Sequence, residues 1–517
     1  MNKGFRPAMA WLHTWSGLLV GWVLYFVFFT GTLGYFSVEI DRWMQPELPL
    51  QHATPSTAQI VDQAISRLEK VAPGAERWNI DLPYRKSVNG LRATWRMPTA
   101  ADGSRAATGL IPLDGSSGER IPTRQTGGGQ LLYQMHYRLH YIEAQQAYWI
   151  VGFCSMLMLV SILTGVITHK KIFKDFFAFR PAAGQRSWRD AHTVLGSIAL
   201  PFHLVITYSG LVLLMFTYSP LVLDEIYRYD DDAQNEFFTD ANPRLPEQPR
   251  SGVAAPLTPL APVLDHARST AHGAPLWQVS IRNPGDATAR IVIVRERGTP
   301  QSGTDQLVYD GVTGQPLAPA SLLRSGARQT RDTLAGLHKG LFASASLRGL
   351  YFLSSLMGTA LVASGLILWT AKRRERLREG RRAWGLRTIE RLNPAMILGP
   401  VLGVAAYFWA NRLIPAGLAS RGLWEAHTLF IAWGLALGWA ALRPPQRAWP
   451  ELLGAAAALY GLLPALNVLT SERHLGVTGP WAQGGGDAVL AGFDLTTLAV
   501  ALALAVAARF SGARSPR

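Results

Sequence analysis

Residues 13–31 and 192–210 carry one pattern twice, and both copies lie in apolar runs. The first reads His13-Thr14-Trp15-Ser16-Gly17 and continues to Thr30-Gly31. The second reads His192-Thr193-Val194-Leu195-Gly196 and continues to Ser209-Gly210. An offset of 179 superposes His13 on His192, Gly17 on Gly196 and Gly31 on Gly210. A second pair matches at offset 200: Thr164-Gly165 with Ser364-Gly365, and Ile167 with Ile367. Apolar runs of about 20 residues cross a bilayer as helices. The chain therefore reads as a duplicated transmembrane bundle. Histidines facing each other near a pseudo-twofold axis are a natural way to hold a planar metal cofactor.

Eight windows are apolar enough to span: about 8–38, 146–169, 193–218, 347–371, 395–415, 423–442, 450–470 and 487–508. The first is too long for a cleavable signal and runs on into Glu39 and Asp41 without a small-residue cleavage site. A net charge of +15 raises the question of nucleic acid, but its location argues against it. Residues 170–191 hold six Lys/Arg against two acids, and residues 372–391 hold nine against three. Ten of the fifteen net charges thus sit in two short loops between spans, which is the positive-inside signal. The expected organisation is span one at 1–38, a polar block at 39–145, span two at 146–169, a basic loop at 170–191 and span three at 192–218. A second polar block at 219–346, span four at 347–371, a basic loop at 372–394, four further spans within 395–508 and a tail at 509–517 complete it. The expected setting is the lipid bilayer of a bacterial inner membrane, crossed many times, with both termini and both basic loops cytoplasmic.

Cys154 is the only cysteine. An intrachain disulfide, a Cys-ligated zinc or iron–sulfur site and a c-type haem are excluded. The two polar blocks repeat each other. Ala72, Gly74 and Ala75 match Ala271, Gly273 and Ala274, and Asp114, Gly115 and Gly118 match Asp310, Gly311 and Gly314. Each block reads as a helix, about 57–71 or 257–271, followed by strands. Alternation at 77–82 and 278–281, and the runs 110–113 and 306–309 before Asp-Gly turns, mark those strands. The fold class is a mainly α membrane protein: a duplicated four-helix bundle, two periplasmic α+β modules and four additional C-terminal transmembrane helices. A Pro-rich stretch from Asn242 to Pro262 reads as an extended linker.

Trp11-Leu-His-Thr-Trp-Ser-Gly-Leu18, Leu139-His140, Leu163-Thr-Gly165, Arg189-Asp-Ala-His-Thr-Val-Leu-Gly196 and Leu337-His-Lys-Gly340 follow in order. With the paired Asp-Gly turns, they make residues 5–392 resemble the PepSY-associated membrane family. His169-Lys170-Lys171-Ile172-Phe173-Lys174 is similar to its iron-regulated branch. That branch includes inner-membrane reductases of ferric siderophores that carry b-type haem. The resemblance implies PepSY-like modules and says nothing about the four spans from about 395.

Twelve histidines occur, eight of them in or beside spans, where polar side chains are costly and usually functional. His52, His266, His272 and His474 read as ordinary solvated residues. His13 and His192, as repeat mates with a glycine one turn on, are expected to hold one haem b. The alternative is close helix packing through the same glycines. His140 and His338 are expected to hold a second haem b. His338 falls at offset 200 between His136 and His140, so either is its partner, and Leu139-His140 copies Leu337-His338. His203 lies eleven residues after His192, on nearly the same face of a continuous helix and about 16 Å further along. It is a replacement ligand or a lining residue. His169 is a ligand or contacts a haem propionate. His427 reads as structural.

The leading functional reading is an enzyme, a haem b-dependent ferric-siderophore reductase that releases iron on the periplasmic side. No nicotinamide or flavin fingerprint is visible, since Gly127-Gly128-Gly129 and Gly484-Gly485-Gly486 lack the strand–helix context. The electron donor is then external, a quinol or a cytoplasmic reductase. Two other readings stand beside it: a non-enzymatic regulator of a peptidase, and an iron or haem transporter built on the repeat. The repeat ends near 392, so the last four spans are expected to be dispensable for haem.

Overall fold

The computed structural model describes residues 4–48, 56–82, 91–99, 106–169, 180, 185–218, 225–226, 248–270, 275–296, 304–317, 326–376, 384–482 and 486–512. Most of the 170–191 loop, His52, His272, Ala271, Gly273, Ala274, residues 242–247, residues 377–383, Gly484-Gly485 and residues 513–517 lie outside them. The elements in chain order begin with α1 (Phe5–Gly34), α2 (Ser37–Met44), α3 (Thr57–Val71), β1 (Arg77–Asp81), β2 (Leu91–Arg96) and β3 (Thr108–Leu113). Next come α4 (Gly128–Arg138), α5 (Ala144–Thr168), α6 (Gln185–Ile198), α7 (Leu200–Leu213), α8 (Met215–Tyr218) and α9 (Leu260–Thr270). They continue with β4 (Leu276–Arg282), β5 (Arg290–Glu296), β6 (Thr304–Asp310), β7 (Pro316–Leu317), α10 (Gly326–Lys339) and α11 (Ala345–Arg376). The last are α12 (Trp384–Leu413), α13 (Arg421–Leu442), α14 (Pro445–Thr470), α15 (Leu475–Thr478) and α16 (Ala488–Gly512).

Contacts divide the chain into two compact units. The first comprises residues 1–44, 125–218 and 343–517, and the second residues 45–124 and 219–342. In the first unit, α1, α5, α11, α12, α14 and α16 are each long and apolar enough to cross a membrane. The pair α6–α7 adds a seventh span if counted as one. Sequence reading expects eight. Helix α13 occupies the 423–442 window but falls short of the same measure, because Glu425 and His427 sit in its first turns. Span three is not continuous either: α6 and α7 meet at 68° around Ala199. Pro201 in the first turn of α7 has no N–H to give to the preceding turn and crowds its carbonyls, so the helix breaks there.

The boundaries of the first polar block also move. Helices α2 and α4 belong to the membrane unit rather than to a polar module. Trp43, Met44, Leu132 and Met135 on these two helices are buried with Tyr407, Phe408, Leu463 and Leu490 of α12, α14 and α16. Burial of such side chains is worth about 1.5–3 kcal/mol each, which outweighs the polar composition of the surrounding stretch.

In the second unit the two expected modules share one antiparallel sheet of seven strands, ordered β3-β2-β1-β4-β5-β6-β7. The junction is β1 with β4, where Trp78 faces Ile281 and Ile80 faces Val279. Helices α3 and α9 cover one face, burying Val61, Ala64, Leu68, Val263 and Leu264 against Ile80, Val279 and Ile281. The repeat is visible in the turns. Asp114 accepts the backbone N–H groups of Ser116 and Ser117, and Asp310 those of Val312 and Thr313. Gly118 and Gly314 close them at φ of 71° and 72°, a region only glycine enters freely. The described part of the Pro-rich stretch is docked, not loose: Arg250 donates to the carbonyl of Ala75, and Ser251 and Gly252 donate to Asp286.

Candidate functional site: a histidine-lined cavity in the membrane unit

A cavity of about 660 Å³ opens among α1, α5, α6, α7 and α11. That is the size range of cofactor sites between helices of a bundle. His13, His192, His203 and His169 all line it, with Gly17, Gly165, Gly196 and Gly365. The rings of His13 and His192 face each other with centroids 6.2 Å apart and planes at 72°.

The local chemistry of the two rings is the same. The Nδ1–H of His13 donates to the carbonyl of Ser161 on α5 at 2.8 Å. The Nδ1–H of His192 donates to the carbonyl of Leu361 on α11 at 3.1 Å. A carbonyl only accepts, so each neutral ring carries its proton on Nδ1 and keeps the Nε2 lone pair. This second-shell tether is the one that orients metal-bound histidines. Each ring lies against a glycine of the helix that tethers it. A Cβ on Gly165 would stand 3.2 Å from His13 Cε1, and one on Gly365 would stand 3.1 Å from His192 Cε1. The second set of repeat glycines therefore seats the rings, and the first set, Gly17 and Gly196, leaves the cavity wall bare.

With the ring centroids 6.2 Å apart and both rings tethered through Nδ1, His13 and His192 are the two residues that would hold a metal-bearing cofactor in this cavity. Among the described residues, no three of His, Cys, Asp and Glu gather to hold a bare ion. A pair would suit a cofactor that supplies further metal ligands of its own. Arg189, Lys372 and Arg373 line the same cavity and suit acidic substituents on such a group. The Arg373 guanidinium is stacked 3.8 Å over the Trp369 ring.

The remaining sequence candidates separate. His203 lines the cavity, but the bend at Ala199 means it does not continue the face of His192. Its Nε2 is buried without a hydrogen-bond partner, and its ring meets that of Phe28 edge-on at 6.3 Å. His169 caps α5 at the cavity rim, and its Nδ1 has no partner. His136 repeats the tether of His13 and His192: its Nδ1–H donates to the carbonyl of Val27 at 2.8 Å. Its ring lies against Gly31, a repeat glycine. His140 has a different environment. It stacks on Phe430 at 5.5 Å and lies in a turn where Leu139, His140 and Tyr141 all have positive φ. His136 shares the Nδ1 tether of His13 and His192, while the Nε2 of His140 is buried without a hydrogen-bond partner, so both remain candidate ligands. His338 is on the last turn of α10, in the second unit. His427 Nδ1 and the Tyr141 hydroxyl share a hydrogen bond. The exposed His266 bonds the Tyr309 hydroxyl, and the side chain of His474 caps α15.

A family model for the PepSY-associated TM region matches residues 10–372. The chain belongs to that family. The matched segment holds both ring-tethering pairs and ends before α12. An uncharacterized protein of Pseudomonas aeruginosa is 26% identical over 365 residues, covering 68% of this chain and 86% of the relative.

Sequence reading missed the polar network where α12, α13, α14 and α16 meet α2 and α4. Glu425 and Arg421 pair with no exposure, and Arg42 pairs with Asp487 at 2.9 Å. Trp43 donates to Asp494, and Arg412 donates to Asn467. The signal was present: Arg412, Glu425 and Asp494 are charges inside apolar runs, where each needs a partner. The C-terminal helices are thus tied to the first half and not a detached appendage.

Proposed function

We propose that this chain is a haem b-bearing membrane oxidoreductase of the PepSY-associated family that reduces ferric siderophores. The observation carrying this reading is the His13–His192 pair, 6.2 Å apart, with both Nδ1 protons committed to carbonyls. His13 and His192 would hold the iron, and Arg189, Lys372 and Arg373 would meet its carboxylates. Bound haem supplies one-electron transfer. The protein's part is to fix the tautomer and direction of each ring, to bare the wall at Gly17 and Gly196, and to keep lipid-facing helices around the cofactor. His136 and His140 are the candidate ligands of a second haem.

Ferric siderophores suit the reading because hard oxygen donors hold ferric iron more tightly than ferrous iron. One electron per iron therefore loosens the complex. The donor is external, a quinol or a cytoplasmic reductase. The basic loops favour an inner-membrane setting with both termini in the cytoplasm.

A pyridine haemochrome assay with protein quantitation tests the core of the proposal. The expected result is b-type haem, with about half of it lost in His13→Ala and in His192→Ala. A colourless protein would leave the peptidase-regulator and transporter readings standing. Full haem retention in both variants would remove the ligand assignment.

A further inference from the structure

Glu425 divides its two oxygens between two parts of the chain. Oε1 accepts Asn411 Nδ2 at 2.8 Å and the Arg421 guanidinium. Oε2 accepts Thr126 Oγ1 at 2.6 Å and the backbone N–H of Gly127 at 3.0 Å. Arg421 also donates to the carbonyl of Gln125 at 2.8 Å. The grip continues along the turn. Tyr407 donates to the carbonyl of Gly128 at 2.9 Å, and Asp41 accepts the N–H of Gly129 at 2.8 Å.

The glycines are what allow this approach. A Cβ on Gly129 would lie 2.1 Å from the carbonyl oxygen of Ser37, and one on Gly422 would lie 2.9 Å from the nitrogen of Gly127. A buried ion pair is weak evidence for stability, because desolvation cancels most of its attraction. Its best-attested use is to fix registry. What it registers here is the start of α4. Eight residues further along that helix, about 12 Å by rise, stands His136, with its ring held by Val27.

We infer that Glu425 is a positioning residue for His136: α12 and α13, which lie beyond the matched family segment, clamp the 125–129 turn and so set the helix that presents this histidine. The inference rests on the haem reading only where it treats His136 as a ligand.

The test uses the full chain and three variants. Glu425→Gln keeps the shape but turns an acceptor into a donor. Thr126→Val removes only the hydroxyl, and Thr126→Ser restores it. Hydrogen exchange of the 128–138 peptide should be at least tenfold faster in Glu425→Gln and Thr126→Val than in wild type. Thr126→Ser should behave as wild type. In the haem-loaded protein, one low-spin signal should shift or vanish while that of the His13–His192 site stays. Unchanged exchange in both disruptive variants overturns the inference, as does equal loss of both signals. A haem-free wild type would defeat the haem reading alone, because exchange still decides whether the clamp exists.

Discussion

Replacing Gly31 by alanine adds one methyl group in the middle of α1. Its Cβ would stand 2.7 Å from His136 Nδ1 and 2.9 Å from Cε1. Ordinary contact begins near 3.4 Å, so the ring must retreat by about 0.7 Å. A retreat of that size stretches the Nδ1–H···O=C bond to Val27 from 2.8 Å to about 3.5 Å, the limit of hydrogen bonding. Losing it costs about 0.5–1.5 kcal/mol net, and a stranded buried donor costs about 1–3 kcal/mol. For a metal-bound histidine, loss of the second-shell partner weakens metal affinity by about 10–100-fold. Helix propensity runs the other way, since alanine in place of glycine stabilises a helix interior by about 0.8–1.0 kcal/mol. The substitution should therefore loosen a cofactor ligated by His136, with the helix gain offsetting part of the stability loss so that the thermal midpoint falls only modestly. The assay is haem stoichiometry and low-spin EPR alongside differential scanning fluorimetry. Gly454→Ala on α14 is the control, because nothing lies within 4 Å of its Cβ and it is remote from the cavity lining. Gly31→Ala protein with full haem content and an unaltered spectrum would refute the tether argument and favour His140 as the ligand.

Three further outcomes are expected. A chain ended after Arg391 should keep the His13–His192 signal and lose that of His136, read by EPR on protein that inserts correctly; retention of both would show that α4 is set without the C-terminal helices. Dithionite-reduced protein should be reoxidised by a ferric hydroxamate, with ferrous iron trapped by a chelator; a reduced spectrum that persists under excess chelate defeats the reductase reading. Asp286 accepts from the backbone N–H of Thr288 first, and then from the Thr288 hydroxyl and from Ser251, which holds its carboxyl well below the usual range. A depressed pKa gives stability that is present above the unfolded value of about 3.9 and lost as pH falls through the folded value. Asp286→Asn should thus lower the thermal midpoint of the second unit at neutral pH, and the difference from wild type should shrink below about pH 4. A constant difference down to pH 2 would contradict the linkage.

The sequence by itself determined what its periodicities encode. Apolar length marked the spans, two offsets paired His13 with His192 and Gly165 with Gly365, and the Asp114 and Asp310 turns marked the α+β repeat. These are local or repeated features, so each can be read without knowing what lies beside it. Tertiary structure decided everything that depends on a neighbour distant in the chain. A carbonyl of residue 161 fixes the tautomer of His13, and the pairing of β1 with β4 turns two modules into one sheet. Val27 and Gly31 give His136 a ligand-like seat that nothing in its own segment announces. The C-terminal helices read as an appendage because they lie outside the repeat. Glu425 and Asp494 bind them to the first half, because charges in an apolar bundle persist only where the fold brings them partners.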